Sequence, residues 1–203
     1  MKRRREASGF DGFCSDAIDF LRSTRMPFLV IGGLAVIALG QPRTTADLDV
    51  VGYATDQEAR TLLALGRARG FRVASDELAR MQATGTLRFH RGHFQLDIIL
   101  ASLPFEQAAR RRAMRKRLFG RMVPLPTPED LILFKVIAGR PQDMVDAVGV
   151  ARRHLPGLDR RYLRRTIDQI CDLAEDHAPR TRLERVLAEA AEGSAGRRAR
   201  TGV

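Results

Sequence analysis

Lysine is nearly absent from this 203-residue chain: Lys2, Lys116 and Lys135 stand against 32 arginines. On a solvated surface the two cations serve alike, so a lone lysine inside an apolar segment is the residue that needs a reason. Cysteine is as scarce. Cys14 and Cys171 lie far apart and outside any CxxC pattern, which argues against a disulfide scaffold and against a zinc site. His90 and His93 are separated by a hairpin and lack a cysteine or carboxylate pattern, so they do not restore a zinc reading. There is no Gly-x-Ser-x-Gly elbow and no Walker-type loop, which removes hydrolase and P-loop chemistry. No internal repeat or low-complexity stretch occurs. The longest uncharged run, Met26 to Pro42, is 17 residues, at the lower limit of the roughly 17–25 that span a bilayer. It is interrupted by Gly32-Gly33 and Gly40 and preceded by Asp11, Asp16 and Asp19, so a buried strand followed by a buried helix is the better reading. The expected location is therefore the cytoplasm, with no membrane partner.

What is present is a hydrophobic fraction of 44%, enough to build a core and to exclude disorder throughout. The formal net charge is +11, of which three units lie in Met1–Glu6 and three in Ser194–Val203. These ends read as solvated tails. Arg110, Arg111, Arg112, Arg115, Lys116, Arg117 and Arg121 form one internal basic cluster, and Arg152, Arg153, Arg160, Arg161, Arg164 and Arg165 a second. Two readings stay open for them: a track for a nucleic-acid backbone, or solvated helix faces in an arginine-biased protein.

Periodicity predicts a helix over Asp11–Thr24, a strand at Phe28–Ile31, a helix at Leu34–Leu39, a strand at Ala46–Tyr53 and a helix at Asp56–Arg69. Phe71–Ala74, Thr86–Arg91 and Phe94–Leu100 are strand candidates, the last two joined by Gly92-His93. Pro104–Arg117 reads as a basic helix and Leu118–Val123 as a short strand. Thr127-Pro128-Glu129-Asp130 is a helix start, with Thr as N-cap and Pro at N1. Helices follow to Gly139, over Gln142–His154, Asp159–Glu175 and Pro179–Glu192. The expected class is α+β, a mixed β-sheet flanked by helices with a C-terminal helical bundle. The expected division is a catalytic core over 1–125 with a basic disordered start at 1–8, a helical region over 126–193 that completes the site, and a basic disordered tail over 194–203.

One constellation carries chemistry. Phe28-Leu-Val-Ile-Gly32-Gly33 is followed by Arg43-Thr-Thr45-Ala-Asp47-Leu-Asp49. Two carboxylates at i and i+2 of a strand share a face, and like charges so close call for a cation. Mg²⁺ takes oxygen ligands and leaves positions open for substrate phosphates. A Gly-Gly turn into a helix lets backbone N–H groups approach a phosphate. Asp97 is a third carboxylate, alone in the apolar run Leu96 to Ile99; the alternative for it is a salt bridge at a strand edge. Together Asp47, Asp49 and Asp97 would make a two-metal cradle for phosphoryl or nucleotidyl transfer.

Hydrophobic-Gly-Gly, a gap of 13 residues and then Asp-x-Asp resembles the signature of the nucleotidyltransferase (DNA polymerase β-like) superfamily. Many members have Gly-Ser; Gly33 stands there in this chain, so a hydroxyl contact to phosphate is lost. Pro126 to Lys135, followed by Ala138-Gly-Arg140-Pro-Gln-Asp143-Met-Val-Asp146, resembles the AbiEii-type nucleotidyltransferases, toxins of abortive-infection toxin–antitoxin systems. The two likenesses cover Phe28 to His154. They imply a mixed sheet holding a metal-bound NTP, two Mg²⁺ ions with Mn²⁺ as an alternative, and an antitoxin protein as partner. They also imply Lys135 on one helix, with acidic residues on the next, facing the nucleotide. The residues agree about Lys135, which lies among Phe134, Val136 and Ile137 and offers a compact point charge to a phosphate; the alternative is a lysine snorkelling to the surface. Asp143 and Asp146 could orient Lys135 or a base, or pair with Arg140. Arg43 and Thr45 could touch phosphate or only fix their loop.

The resulting expectation is a Mg²⁺-dependent nucleotidyltransferase moving an NMP from an NTP to an acceptor hydroxyl, tRNA or another RNA being favoured by the basic clusters and the toxin resemblance. A protein side chain or small molecule remains an alternative acceptor. A non-catalytic antitoxin or RNA-binding module is the rival reading.

Overall fold

The computed structural model describes residues 9–200, with side chains for all of them except Asp56 and residues 193–200. The expected basic start at 1–8 lies outside the described residues. The chain divides into two units: the first is formed by the chain up to Leu34 with Thr44–Leu125, the second by Ala35–Arg43 with the chain from Pro126 onward.

In the first unit, α1 (Phe10–Ser23) buries Phe13, Ala17, Ile18, Phe20 and Leu21 along one stripe, the helical period of its apolar residues. β1 (Phe28–Val30) is buried throughout. The chain then turns at Gly32 into α2 (Gly32–Ala38). β2 (Asp47–Gly52) is followed by α3 (Asp56–Ala68), which begins in a capping box: Thr55 accepts from the Glu58 N–H and the Glu58 side chain from the Thr55 N–H. Next come α4 (Glu77–Thr84), β3 (Thr86–Arg91) and β4 (Phe94–Leu100). The sheet order is β1-β2-β4-β3, with β2 and β4 parallel and the outer pairs antiparallel. The sheet is thus mixed, as expected. Leu48, Val50, Leu87, Phe89, Leu96 and Ile98 are fully buried; Asp47 and Asp49 on β2 and Asp97 on β4 alternate with them. Phe20, Phe71 and Phe89 meet at centroid distances of 5.3–6.0 Å. Truncating such a ring costs roughly 3–5 kcal/mol, so this cluster is a principal anchor of α1 on the sheet.

Two expectations are corrected here. Phe71–Ala74 is not a strand. Only Arg72 pairs with the sheet, through a backbone bridge to His90 (2.8 and 2.9 Å), because Phe71 is drawn into the aromatic cluster. The basic segment Pro104–Arg117 is not one helix either: α5 (Pro104–Arg111) stops, and the chain reappears as the hairpin β5 (Met114–Leu118) and β6 (Arg121–Leu125). Arg115, Lys116 and Arg117 therefore lie on a strand, which Phe119 and Gly120 (both at positive φ) turn back on itself. The helix α4 was not foreseen. Met81 and Glu77 are its buried residues, too few to write a clear period.

In the second unit, α6 (Pro128–Ala138) starts at Thr127, whose hydroxyl accepts from the Asp130 N–H, and ends at Gly139 in the left-handed conformation. Leu131, Ile132, Leu133 and Val136 are fully buried, and Glu129, Asp130 and Lys135 are buried with them, so α6 is a central helix covered on most sides. Asp130 is also fully buried. It accepts from the Tyr162 hydroxyl at 2.6 Å and the Thr127 hydroxyl at 2.9 Å, which makes its burial tolerable. Around α6 are α7 (Pro141–His154), α8 (Arg160–Ala174) and α9 (Ala178–Arg200). α9 is helical through Arg200; of the tail expected over 194–203, residues 201–203 lie outside the described residues. No helix among the described residues is long and apolar enough to cross a membrane.

Candidate active site

The acidic group is built by strand register. β2 and β4 run parallel with Asp49 opposite Asp97 and Asp47 opposite Gln95; on the other side of β4, β3 sets Arg88 opposite Asp97 and His90 opposite Gln95. Paired residues share a face of the sheet. Two rows therefore cross three strands: Arg88–Asp97–Asp49 and His90–Gln95–Asp47. Leu48 and Val50 on either side of Asp49 point to the opposite, buried face, while Asp47 and Asp49 remain half-exposed.

Gly32 completes this group. Its φ is +63°, a left-handed conformation that suits glycine, and a Cβ added there would overlap the Asp49 carboxylate. Ile31 N–H donates to the Asp49 carbonyl at 2.9 Å, tying the glycine turn to β2. The turn and Asp49 thus lie in direct apposition, with no room for a side chain between them. Gly33 is buried in the first turn of α2. Thr45 is spent locally: its hydroxyl accepts from the Asp47 N–H and donates to the Asp47 carbonyl, both at 3.3 Å.

Asp97 is engaged on both oxygens. Arg88 Nε donates to Oδ1 at 2.8 Å and Arg88 Nη2 to Oδ2 at 2.7 Å, a two-pronged pair, while Gln95 Nε2 donates to Oδ2 at 3.0 Å. The bond to Asp97 raises the Arg88 guanidinium above its ordinary value; burial opposes this, and the charges of Asp97, Glu77 and Asp47 reinforce it. Asp97 and Asp47 within these two rows, and Glu77 outside them, thus act on one guanidinium. The carboxylates are not gathered as a closed cage: among the described residues no group of three or more His, Cys, Asp or Glu is disposed to hold a metal ion. Arg88 and Gln95 were not singled out in the sequence. Their signal is the alternation Arg88-Phe89-His90 and Gln95-Leu96-Asp97, which places them on the polar face.

Lys135, Asp143, Asp146 and Arg43 form a second group, in the second unit. Lys135 Nζ lies 2.8 Å from Asp143 Oδ1 and 2.9 Å from Asp146 Oδ2. Arg43 Nη1 reaches Asp146 Oδ2 at 2.7 Å, Arg140 Nε reaches Asp143 Oδ2 at 3.0 Å, and Gln142 Nε2 reaches Asp146 Oδ1 at 3.1 Å. Lys135, Asp143 and Asp146 are 6%, 5% and 1% exposed. The lysine is thus neither a surface snorkeller nor an isolated charge. It cross-links α6 to α7, and all four oxygens of the two aspartates have partners.

No family profile matches the chain, and no curated protein does. Solved structures do match. The antibiotic-resistance factor ANT(2'')-Ia in solution is 17% identical, with a TM-score of 0.52 over 94% of this chain and 96% of that one. JHP933 from Helicobacter pylori is 13% identical, with a TM-score of 0.52 over 98% and 97%. A crystal structure of ANT(2'')-Ia in complex with adenylyl-2''-tobramycin is 15% identical, with a TM-score of 0.51 over 70% and 87%. At such identities it is the architecture that is shared: the chain has a nucleotidyltransferase-type fold.

Proposed function

We propose that the chain is a Mg²⁺-dependent nucleotidyltransferase that moves an NMP from an NTP to an acceptor hydroxyl. The observation that carries this reading is the apposition of the Asp47/Asp49 face with the side-chain-free turn at Gly32, in a fold shared with a protein solved together with an adenylylated aminoglycoside. The donor set fits the ion. Mg²⁺ is held through one or two carboxylates plus substrate phosphates, and Asp47 and Asp49 present hard oxygens side by side on an exposed face. Two Mg²⁺ ions, or Mn²⁺ in their place, would supply charge neutralisation at the reacting phosphate and at the pyrophosphate that leaves.

The chain's own residues do the rest. Asp47 and Asp49 would hold the ions. Gly32 and Gly33 leave their backbone open to phosphate. Asp97, fixed by Arg88 and Gln95, accepts the proton of the acceptor hydroxyl as its oxygen bonds to the α-phosphorus and the bond to the pyrophosphate oxygen breaks; a share in metal binding would require it to release Arg88. Lys135, Arg43, Thr45, Asp143 and Asp146 were expected at the nucleotide. The pairings around Lys135 favour a role in holding α6 and α7 together, and a contact with the triphosphate is the further step proposed for this group.

The acceptor favoured is an RNA, tRNA included, in the cytoplasm, with a toxin role and an antitoxin protein as partner, as the AbiEii resemblance suggests. A small hydroxyl compound is the second reading, favoured by the tobramycin adduct of the structural neighbour. A non-catalytic binding module is the third, favoured by the occupation of Asp97 by Arg88. The test is transfer of label from α-labelled NTPs in Mg²⁺ to total RNA, to protein and to hydroxyl-bearing antibiotics. Full activity in Asp47→Asn with Asp49→Asn would sink the catalytic reading, and label in the antibiotic fraction alone would sink the RNA one.

A further inference from the structure

The first unit has a cavity of about 350 Å³ whose lining includes Arg22, Arg25, Arg110 and Arg115 around Met26 and Phe28. Among the described residues no carboxylate lines it. Elsewhere in the molecule Arg88, Arg91, Arg121, Arg164 and Arg180 pair with acids. Arg22 donates to the Met122 carbonyl and Arg110 lies 5.3 Å from the Tyr53 ring centroid, so two of the guanidiniums are held in place by uncharged groups. Arg25 directly follows the Thr24 C-cap of α1, with a φ of 60° and its N–H donating to the Arg22 carbonyl at 3.2 Å, the left-handed ending common to helices, which fixes the backbone that carries it. The cavity is also separate from the acidic face. Its Phe28 pairs with Gly52 at the far end of β2, whereas Asp47 begins that strand.

Four guanidiniums around one cavity repel one another unless an anion sits among them. The surroundings say which kind. Arg115 lies on β5, and Arg117, two residues on, is on the same side of the strand, about 7 Å further along. Both are exposed. The cations therefore continue out of the cavity as a line, which suits a polymer of phosphates better than one free anion. We propose that Arg22, Arg25, Arg110 and Arg115 bind the phosphate backbone of a single-stranded RNA segment, which leaves along Arg117. The choice of RNA rests on the RNA-acceptor reading given above, and the site lies outside the residues assigned there.

The experiment measures anisotropy of a fluorescent single-stranded RNA with the full chain, without NTP or Mg²⁺, across a salt series. Arg25→Ala with Arg115→Ala is compared with a charge-matched control, Arg60→Ala with Arg67→Ala, two exposed residues of α3 outside both basic clusters. Circular dichroism melts confirm that each variant folds. The wild-type affinity should fall steeply with salt, with a log–log slope near −3 for four phosphates. The cavity variant should bind at least tenfold more weakly, with a slope shallower by about 1.4 for two lost contacts; the control should bind like wild type. Equal loss in both variants, no loss in the cavity variant, or displacement of the RNA by inorganic phosphate at equimolar concentration would overturn the proposal. Asp47→Asn with Asp49→Asn separates the two ideas. It should abolish transfer and keep RNA binding, so failure of catalysis and failure of the arginine site are read independently.

Discussion

Two groups of charge in this protein use the same residue types in opposite ways. On β2 and β4, Asp47, Asp49 and Asp97 share a sheet face with one guanidinium, and the first two aspartates are half-exposed. Between α6 and α7, Asp143 and Asp146 are buried and are met by Lys135, Arg43 and Arg140. A buried carboxylate persists only with partners for its charge and its lone pairs. A half-exposed one is screened by water and stays within reach of a ligand. Burial and pairing, more than residue type, separate Asp143 and Asp146 from Asp47 and Asp49; Asp97, 8% exposed and paired with Arg88, stands between the two cases.

The comparison can be broken at several points. The largest effect concerns activity: Asp47→Asn with Asp49→Asn should lower transfer on the order of 10³-fold and leave the melting temperature unchanged or slightly raised, since like charges have been removed. A melting temperature that falls steeply would mean these carboxylates are structural too. Next in size is Lys135→Met, which strands two buried aspartates and should cost about 3 kcal/mol, at the low end of the range for breaking a buried pair because Arg43 and Arg140 remain. Denaturant midpoints measure it. Adding Asp143→Leu should recover part of the loss. A variant that keeps its stability but raises KM for NTP would move Lys135 from the structural group to the nucleotide.

Gly32→Ala tests the apposition with Asp49. Left-handed backbone at a non-glycine residue costs about 1–2 kcal/mol, and the methyl displaces the carboxylate, so transfer should fall more than stability does. Thermal melts alongside kinetics distinguish the two. The smallest effect is Arg140→Ala. Its side chain is 78% exposed although Asp143 is 7% exposed, and water screens the pair, so the change should be below about 1 kcal/mol by chemical denaturation. A larger value would mean that Arg140, and not Lys135, carries the neutralisation of Asp143.

Much of the fold was legible wherever one physical signal dominated. The alternation through Asp47-Leu48-Asp49-Val50 fixes which side chains face the core, and Thr127-Pro128 marks the start of α6 because a cap and a proline act locally. The hairpin after Arg112 was not legible. Alternating arginines look equally polar on a helix or a strand, and the pairing of β5 with β6 is what decides. The helix α4 was missed because eight residues with two buried positions carry no readable period. In the site, the carboxylates were legible as charges inside apolar runs, but Arg88 was not, since one arginine among 32 carries no signal until strand register sets it beside Asp97.

The sequence by itself determined the polar and apolar faces of β2, the glycine turn that precedes it and the singular status of Lys135, because these follow from side-chain alternation, backbone permissiveness and composition. Only the tertiary structure decided who partners whom: Arg88 with Asp97, Lys135 with Asp143 and Asp146, and four arginines around a cavity that no carboxylate among the described residues lines. Charge pairing depends on distances between residues up to 103 positions apart in the chain, as for Arg43 and Asp146. Those distances exist only once the apolar faces have packed.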